Sequence, residues 1–206
     1  MATTARQLDQ QTLQQGLPLK VEFWPVIQLK DDEFFQFCQI NRDLRIERNI
    51  QGEILLMPPT GGGSGRRNAE ITIQLGNWAK RDGTGLSFDS STGFILSNGA
   101  VRSPDASWVK RSRLDELTAE QMNRFLPLCP DFVLELHSPS DQLAVLQAKM
   151  LEYRDNGAQL GWLIEPGAKR LYVYRPETAV DCLEGVDSIS GDPVLAGFVL
   201  ELVEVW

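Results

Sequence analysis

Apolar and polar residues along this chain follow two periods, and the switches between them outline its elements. From Asp31 to Asn41, Phe34, Phe35, Phe37 and Cys38 recur at helical spacing among acids, which predicts a helix. Leu44–Ile50 and Glu53–Met57 flank Gln51-Gly52 and predict a hairpin. Pro58-Pro59-Thr60-Gly61-Gly62-Gly63-Ser64-Gly65 predicts a loop. A helix from about Arg67 to Lys80 follows, with Ile71, Leu75 and Trp78 as its apolar stripe and Gly83 and Gly85 just past its end. Short strands are predicted over Leu86–Asp89, Gly93–Leu96 and Asp105–Val109, and helical pieces over Leu114–Leu117 and Ala119–Phe125. Asp131–His137 reads as a strand with Phe132, Leu134 and Leu136 on one face and Val133, Glu135 and His137 on the other. The next helix starts at Ser140 or Asp141, either a good N-cap, and stops at Asn156-Gly157. Leu160–Ile164 and Arg170–Arg175 form a hairpin over Pro166-Gly167, and Gly197–Trp206 is a last apolar strand. The class is α/β or α+β around a mixed sheet. Residues 1–20, rich in Gln and Thr, read as a flexible tail, and residues 21–206 as a single domain with no repeat and no internal linker.

Composition narrows the partners. A chain of 206 residues is long enough for a real core. The formal charge is −8, which argues against a protein that holds nucleic acid by charge alone. A metal enzyme remains compatible with it, since such enzymes spend carboxylates on their ions and bound cations reverse the local field. Cys38, Cys129 and Cys182 are widely spaced and form no CxxC, which suggests reduced thiols and a cytoplasmic setting. His137 is the sole histidine, so structural zinc is disfavoured. The first residues have no apolar core of a signal peptide, and no run approaches the roughly 18 apolar residues of a membrane span.

The candidate chemistry centres on Glu135. A carboxylate within an otherwise apolar strand needs compensation, and a divalent cation is the simplest kind. Asp105 follows Pro104, which favours extended backbone at Ser103. Magnesium takes oxygen ligands, often one or two carboxylates with water and substrate phosphate completing the shell. Asp105 and Glu135 supply that number. Each also has a structural reading, Asp105 as a turn residue beside a proline and Glu135 as a buried acid without chemistry. Lys149 shares a helix face with Val145, Leu146 and Tyr153, close to the stripe of Leu143, Leu146 and Met150. It either snorkels to solvent or bends over the strand end, where it would orient or deprotonate a water and offset transition-state charge. Glu70, on the helix after the glycine loop, is either a further metal or water ligand or a surface acid. Arg66 and Arg67 are either phosphate contacts at a helix start or a solvated basic turn. The loop before them lacks the Gly-Lys-Ser/Thr of a P-loop. No GxSxG precedes a helix, so a hydrolase triad is disfavoured, and two carboxylates alone are a weak sign of a glycosidase.

Three segments stand in an order that belongs to a known family: Pro104-Asp105-Ala106-Ser107-Trp108-Val109, Pro130-Asp131-Phe132-Val133-Leu134-Glu135-Leu136-His137-Ser138-Pro139-Ser140, and Lys149 with Tyr153, Gly157 and Leu160-Gly161-Trp162-Leu163-Ile164-Glu165-Pro166. From about Val26 to the end, Pro193-Val194-Leu195-Ala196-Gly197-Phe198 included, the chain resembles the Uma-type restriction endonucleases. These are a branch of the PD-(D/E)xK nuclease superfamily long catalogued as a domain of unknown function. The resemblance implies a restriction-endonuclease-like mixed β-sheet flanked by helices, with Mg2+ or Mn2+ at the strand ends. It implies Asp105 and Glu135 as metal ligands, Lys149 as a lysine moved from the strand to the next helix, and Glu70 as the helix glutamate that many members add. The usual lysine position, two residues after Glu135, is His137 here, where a histidine either assists the site or obstructs it. The implied function is hydrolysis of phosphodiester bonds in nucleic acid, DNA first, by a homodimer. The alternative is an inactive nuclease-fold module that binds nucleic acid or a protein partner.

Overall fold

Two sheets joined through the link Ser103-Pro104-Asp105 carry the fold. The computed structural model describes residues 19–23 and 26–206. The elements begin with β1 (Leu19–Val21), α1 (Asp31–Ile40), β2 (Arg45–Arg48), β3 (Ile54–Met57) and α2 (Gly62–Asp82). Then come β4 (Gly85–Asp89), β5 (Phe94–Ile95), β6 (Val101–Arg102), β7 (Ala106–Lys110), α3 (Arg111–Leu114) and α4 (Ala119–Met122). The chain continues with β8 (Phe132–Leu136), α5 (Leu143–Asp155), β9 (Leu160–Glu165), β10 (Arg170–Tyr174), β11 (Asp181–Glu184), β12 (Ser188–Ser190) and β13 (Val199–Glu201). Residues 1–18 of the expected tail lie outside the described residues, while Leu19 and Lys20 stand in β1.

The larger sheet runs β11-β10-β9-β8-β7-β4. It is mixed, with β8 and β9 parallel and its other neighbours antiparallel. A parallel pair needs a crossover, and α5 supplies it. The alternation read along β8 decides what covers each face. Phe132, Leu134 and Leu136 join Trp108, Trp162 and Ile164 beneath Ile71, Leu75 and Trp78 of α2 and Leu195–Val205 of the C-terminal segment. Val133 faces the other way, into a cluster with Met150 and Tyr153 of α5. The sheet is thus flanked by a helix on each face, as expected. Gly161 lets α5 lie close to β9, because a β-carbon there would stand 2.6 Å from Met150 Cε. The smaller sheet runs β1-β3-β2-β6-β5, and α1 covers one face of it with Phe34 against Ile46, Ile54 and Val101.

Several boundaries differ from the sequence reading. α2 begins at Gly62 rather than near Arg67. The glycines occupy its first turn, and the long apolar stripe packed on the sheet outweighs their poor helix propensity. α5 begins at Leu143, because Asp141 turns its carboxylate back to the Ser138 N–H at 2.8 Å instead of capping the helix. The first helical piece is Arg111–Leu114 rather than Leu114–Leu117. The expected last strand is a strand only over Val199–Glu201, paired with β12; beyond it Leu202 and Val205 turn inward as core residues while Val203 and Glu204 stay exposed. The strands β6, β11 and β12 carried no readable alternation.

Candidate active site

Three of the side chains singled out in the sequence, Asp105, Glu135 and Lys149, converge where the two sheets meet. Asp105 ends the link between them, immediately before β7. Ala106 of β7 lies opposite Leu134 of β8, so one register step brings Asp105 beside Glu135. One carboxylate oxygen of Asp105, Oδ2, accepts from the Leu136 N–H at 2.9 Å, which ties it to the strand bearing Glu135. Its Oδ1 accepts from Arg45 Nη2 at 3.2 Å. Glu135 is 3 % exposed. Its Oε1 lies 2.8 Å from Lys149 Nζ and accepts from the Tyr153 hydroxyl at 3.0 Å. Among the described residues no hydrogen bond reaches Oε2 of Glu135.

Lys149 projects from the middle of α5 and does not snorkel. Its ammonium also donates to Glu47 Oε1 at 2.9 Å, and so bridges two buried carboxylates. Glu47 is the residue the sequence reading missed. Strand β2 directs Ile46 into the small core and turns Arg45 and Glu47 to the opposite face. That face is roofed by α5, not open to solvent. Glu47 Oε1 accepts from the Ser103 N–H at 3.0 Å, and Oε2 from Arg102 Nη1 at 3.1 Å. Arg102 Nε in turn donates to Glu152 Oε2 at 2.6 Å. A hairpin strand written Arg-Ile-Glu-Arg looks half solvated. The only signal for Glu47 is its position two residues from Arg45 on one face.

These groups line a cavity of about 660 Å3 between the outer face of the small sheet and α5. Leu55, Met57, Pro58 and Pro59 wall one side, and Ala144, Val145 and Ala148 the other. The other residues singled out in the sequence stand elsewhere. Glu70 is not among the residues lining the cavity; its Oε1 accepts from Gln74 Nε2 at 3.0 Å on α2, next to β13. Arg66 pairs with Glu204 at 3.5 Å, and Arg67 Nε donates to the Val205 carbonyl at 2.7 Å, so both arginines hold the C-terminal segment. His137 extends the β8 ladder by donating its N–H to the Ile164 carbonyl, and its Nε2 lies 3.2 Å from the Asp141 carbonyl.

The charges of the cluster are unequal. Glu47, Asp105, Glu135 and Glu152 face Arg45, Arg102 and Lys149, so acids exceed bases by one. Burial pushes the Glu135 carboxyl up, Lys149 pulls it back, and Asp105 and Glu47 push it up again, leaving it at about 7. Burial acts on Glu47 in the same sense, but Lys149, Arg102 and the Ser103 N–H outweigh it and hold that carboxyl well below the usual range. Burial alone would lower the Lys149 pKa, yet Glu135 and Glu47 together raise it and favour the ammonium form. Magnesium or manganese fits these donors, which are hard carboxylate oxygens in a cluster short of one positive charge. Among the described residues no group of three or more His, Cys, Asp or Glu side chains could enclose an ion. The protein would therefore give two carboxylates, Asp105 and Glu135, and leave the other positions to water and phosphate.

One consequence concerns stability in metal-free buffer. The folded pKa of Glu135 lies above its unfolded value of about 4.3, so folding favours its protonated form. That stabilisation is complete below the unfolded value and is lost as pH rises through about 7. Glu135→Gln cannot ionise, so it is expected to gain on the parent by up to about 1.4 kcal/mol per pH unit across this window. Urea midpoints of both proteins from about pH 4 to pH 8 check this, and a gap that stays constant contradicts it.

Comparison with known proteins agrees with this architecture. The profile of a family described as "Uma2: Putative restriction endonuclease" matches residues 31–203. Among solved structures the chain is similar to one titled as a putative nuclease belonging to DUF820 from Anabaena variabilis ATCC 29413. The TM-score is 0.63 at 22% identity, over 73% of this chain and 83% of that one, which is a likeness of fold. No curated protein matches.

Proposed function

The chain belongs to the Uma2 family, and from that membership we propose that it is a metal-dependent nuclease that hydrolyses phosphodiester bonds of nucleic acid, DNA first. The observation that carries this reading is the Lys149 ammonium held between Glu135 and Glu47 on a cavity that Asp105 also lines. Asp105 and Glu135 hold the ion in this reading. A bound magnesium ion supplies Lewis-acid stabilisation of charge on the phosphoryl oxygens. The chain's own groups do the rest. Arg45 and the Leu136 N–H fix the Asp105 carboxylate, and Tyr153 fixes Glu135. Lys149, positioned by Glu47, donates to a phosphate oxygen and offsets charge as water attacks phosphorus and the bond to the leaving oxygen breaks. Its two carboxylate neighbours favour its charged form, so the water's proton passes to solvent and the leaving oxygen takes one from solvent, giving a phosphomonoester and a free hydroxyl. Glu70, Arg66, Arg67 and His137 have no part in the step. Residues 21–206 act as one domain, and a paired assembly of two copies in the cytoplasm belongs to the same proposal.

The second reading, an inactive nuclease-fold module, is favoured by one observation: among the described residues, every cation lining the cavity is already paired with a carboxylate. Calorimetric titration with magnesium or manganese separates the two. The nuclease reading expects binding at millimolar concentration or tighter, weakened at least about tenfold in Glu135→Gln. Absence of binding, or binding unchanged by the substitution, removes it.

A further inference from the structure

The charged cluster sits inside the cavity and not on a rim. Glu47 is 2 % exposed, Glu135 3 % and Asp105 8 %. A phosphodiester must therefore come in to reach them. We propose that the site admits an unpaired strand, one or two nucleotides at a time, and excludes an intact duplex; this rests on the nuclease reading and names its substrate class.

Three observations support it. The first is size. A cavity of about 660 Å3 is in the range that encloses one small ligand, roughly 300–1,000 Å3. A duplex, whose major groove alone is about 12 Å wide, cannot enter, and its phosphates stay on the outside of a stiff rod. A single strand bends and carries its phosphodiester inward.

The second is charge. Duplex affinity comes largely from free lysines and arginines that neutralise backbone phosphates. Here Lys20 is paired with Glu22 and Glu53, Arg45 with Asp105, Arg102 with Glu47 and Glu152, and Lys149 with Glu47 and Glu135. Among the described residues that line the cavity, no cation is left over for a row of phosphates.

The third is the character of the walls. Leu55 and Met57 of β3 and Val145 of α5 line the cavity, and Val145 is 55% exposed. Thr60, Ser64, Asn68, Ser138, Ser140 and Gln142 line it as well and offer hydrogen bonds to the edges of a base. Apolar contacts beside hydrogen-bonding groups suit the face and the free edges of an unstacked base, which only an unpaired strand presents.

The test uses one labelled oligonucleotide in three forms: alone, fully paired, and paired except for a central bubble. Binding is read by fluorescence anisotropy with calcium in place of magnesium, and cleavage is read with magnesium. The expected result is at least a tenfold preference, about 1.4 kcal/mol, for the unpaired and bubble forms, with cuts in the bubble confined to unpaired positions. Val145→Trp narrows the opening and is expected to weaken binding of the unpaired form at least about fivefold while weak duplex binding stays as it was. Equal or better binding and cutting of the fully paired form overturns the inference and leaves the nuclease reading standing. A preference in binding without any cleavage supports the inference and removes the hydrolytic reading. No binding of any form overturns both.

Discussion

Glu135→Gln is expected to lose metal-dependent cleavage by a factor of about 100 to 1,000 or more, the scale on which single electrostatic contributions to a transition state fall. Glutamine keeps the size of the side chain and its oxygen still accepts from Tyr153, so the loss would report charge and metal binding, not collapse of the site. The fold should survive for a stated reason. Glu135 is the acid that burial and its carboxylate neighbours disfavour, and the neutral variant relieves that repulsion. Cleavage of a single-stranded oligonucleotide, followed alongside circular dichroism, is the measurement. A variant that is folded and still cuts at the parental rate would remove Glu135 from the assignment. Lys149→Met offers a contrast. It leaves Glu47 and Glu135 facing each other without their shared cation, so it should lose stability as well as activity.

The second large effect is expected at Glu47, and it is a stability effect first. Glu47→Ala removes the acceptor for the Ser103 N–H, the partner of Arg102 Nη1 and one of the two partners of Lys149, all in a buried setting. Breaking a buried pair from one side costs about 3–5 kcal/mol, because the cations left behind stay desolvated. Chemical denaturation at neutral pH reads this directly. Glu47→Gln keeps an oxygen for the Ser103 N–H and should recover part of the loss. A drop below about 1 kcal/mol for the alanine variant would mean that the network is solvated and that Glu47 does not hold Lys149.

How far the sequence reached depends on the residue. Glu135 was legible because its neighbours on both sides are apolar, and a carboxylate in such a strand calls for a partner. Lys149 was legible as a lysine beside an apolar helical stripe, although its two readings were equal until the fold chose between them. Glu47 was hidden. Its strand alternates apolar with charged residues as solvent-facing hairpins do, and its second face became interior only when the small sheet closed against α5. Glu70 shows the converse. It lies near the glycine loop in the chain, but α2 turns its apolar stripe to the larger sheet and leaves Glu70 beside Gln74, off the residues that line the cavity.

Local pattern, then, determined what each segment is. The period of two in Phe132–Leu136 and the helical stripe over Ile71, Leu75 and Trp78 are properties of neighbours in the chain, and burying them needs only some apolar surface opposite. Tertiary structure decided which polar groups meet. Glu47 and Lys149 are 102 residues apart in the chain and 2.9 Å apart in space. That contact follows from the turn between the two sheets at Ser103-Pro104-Asp105 and from the close seating of α5 over Gly161. Electrostatic partners separated by such a span are set by how whole elements pack, and no period along the chain encodes that.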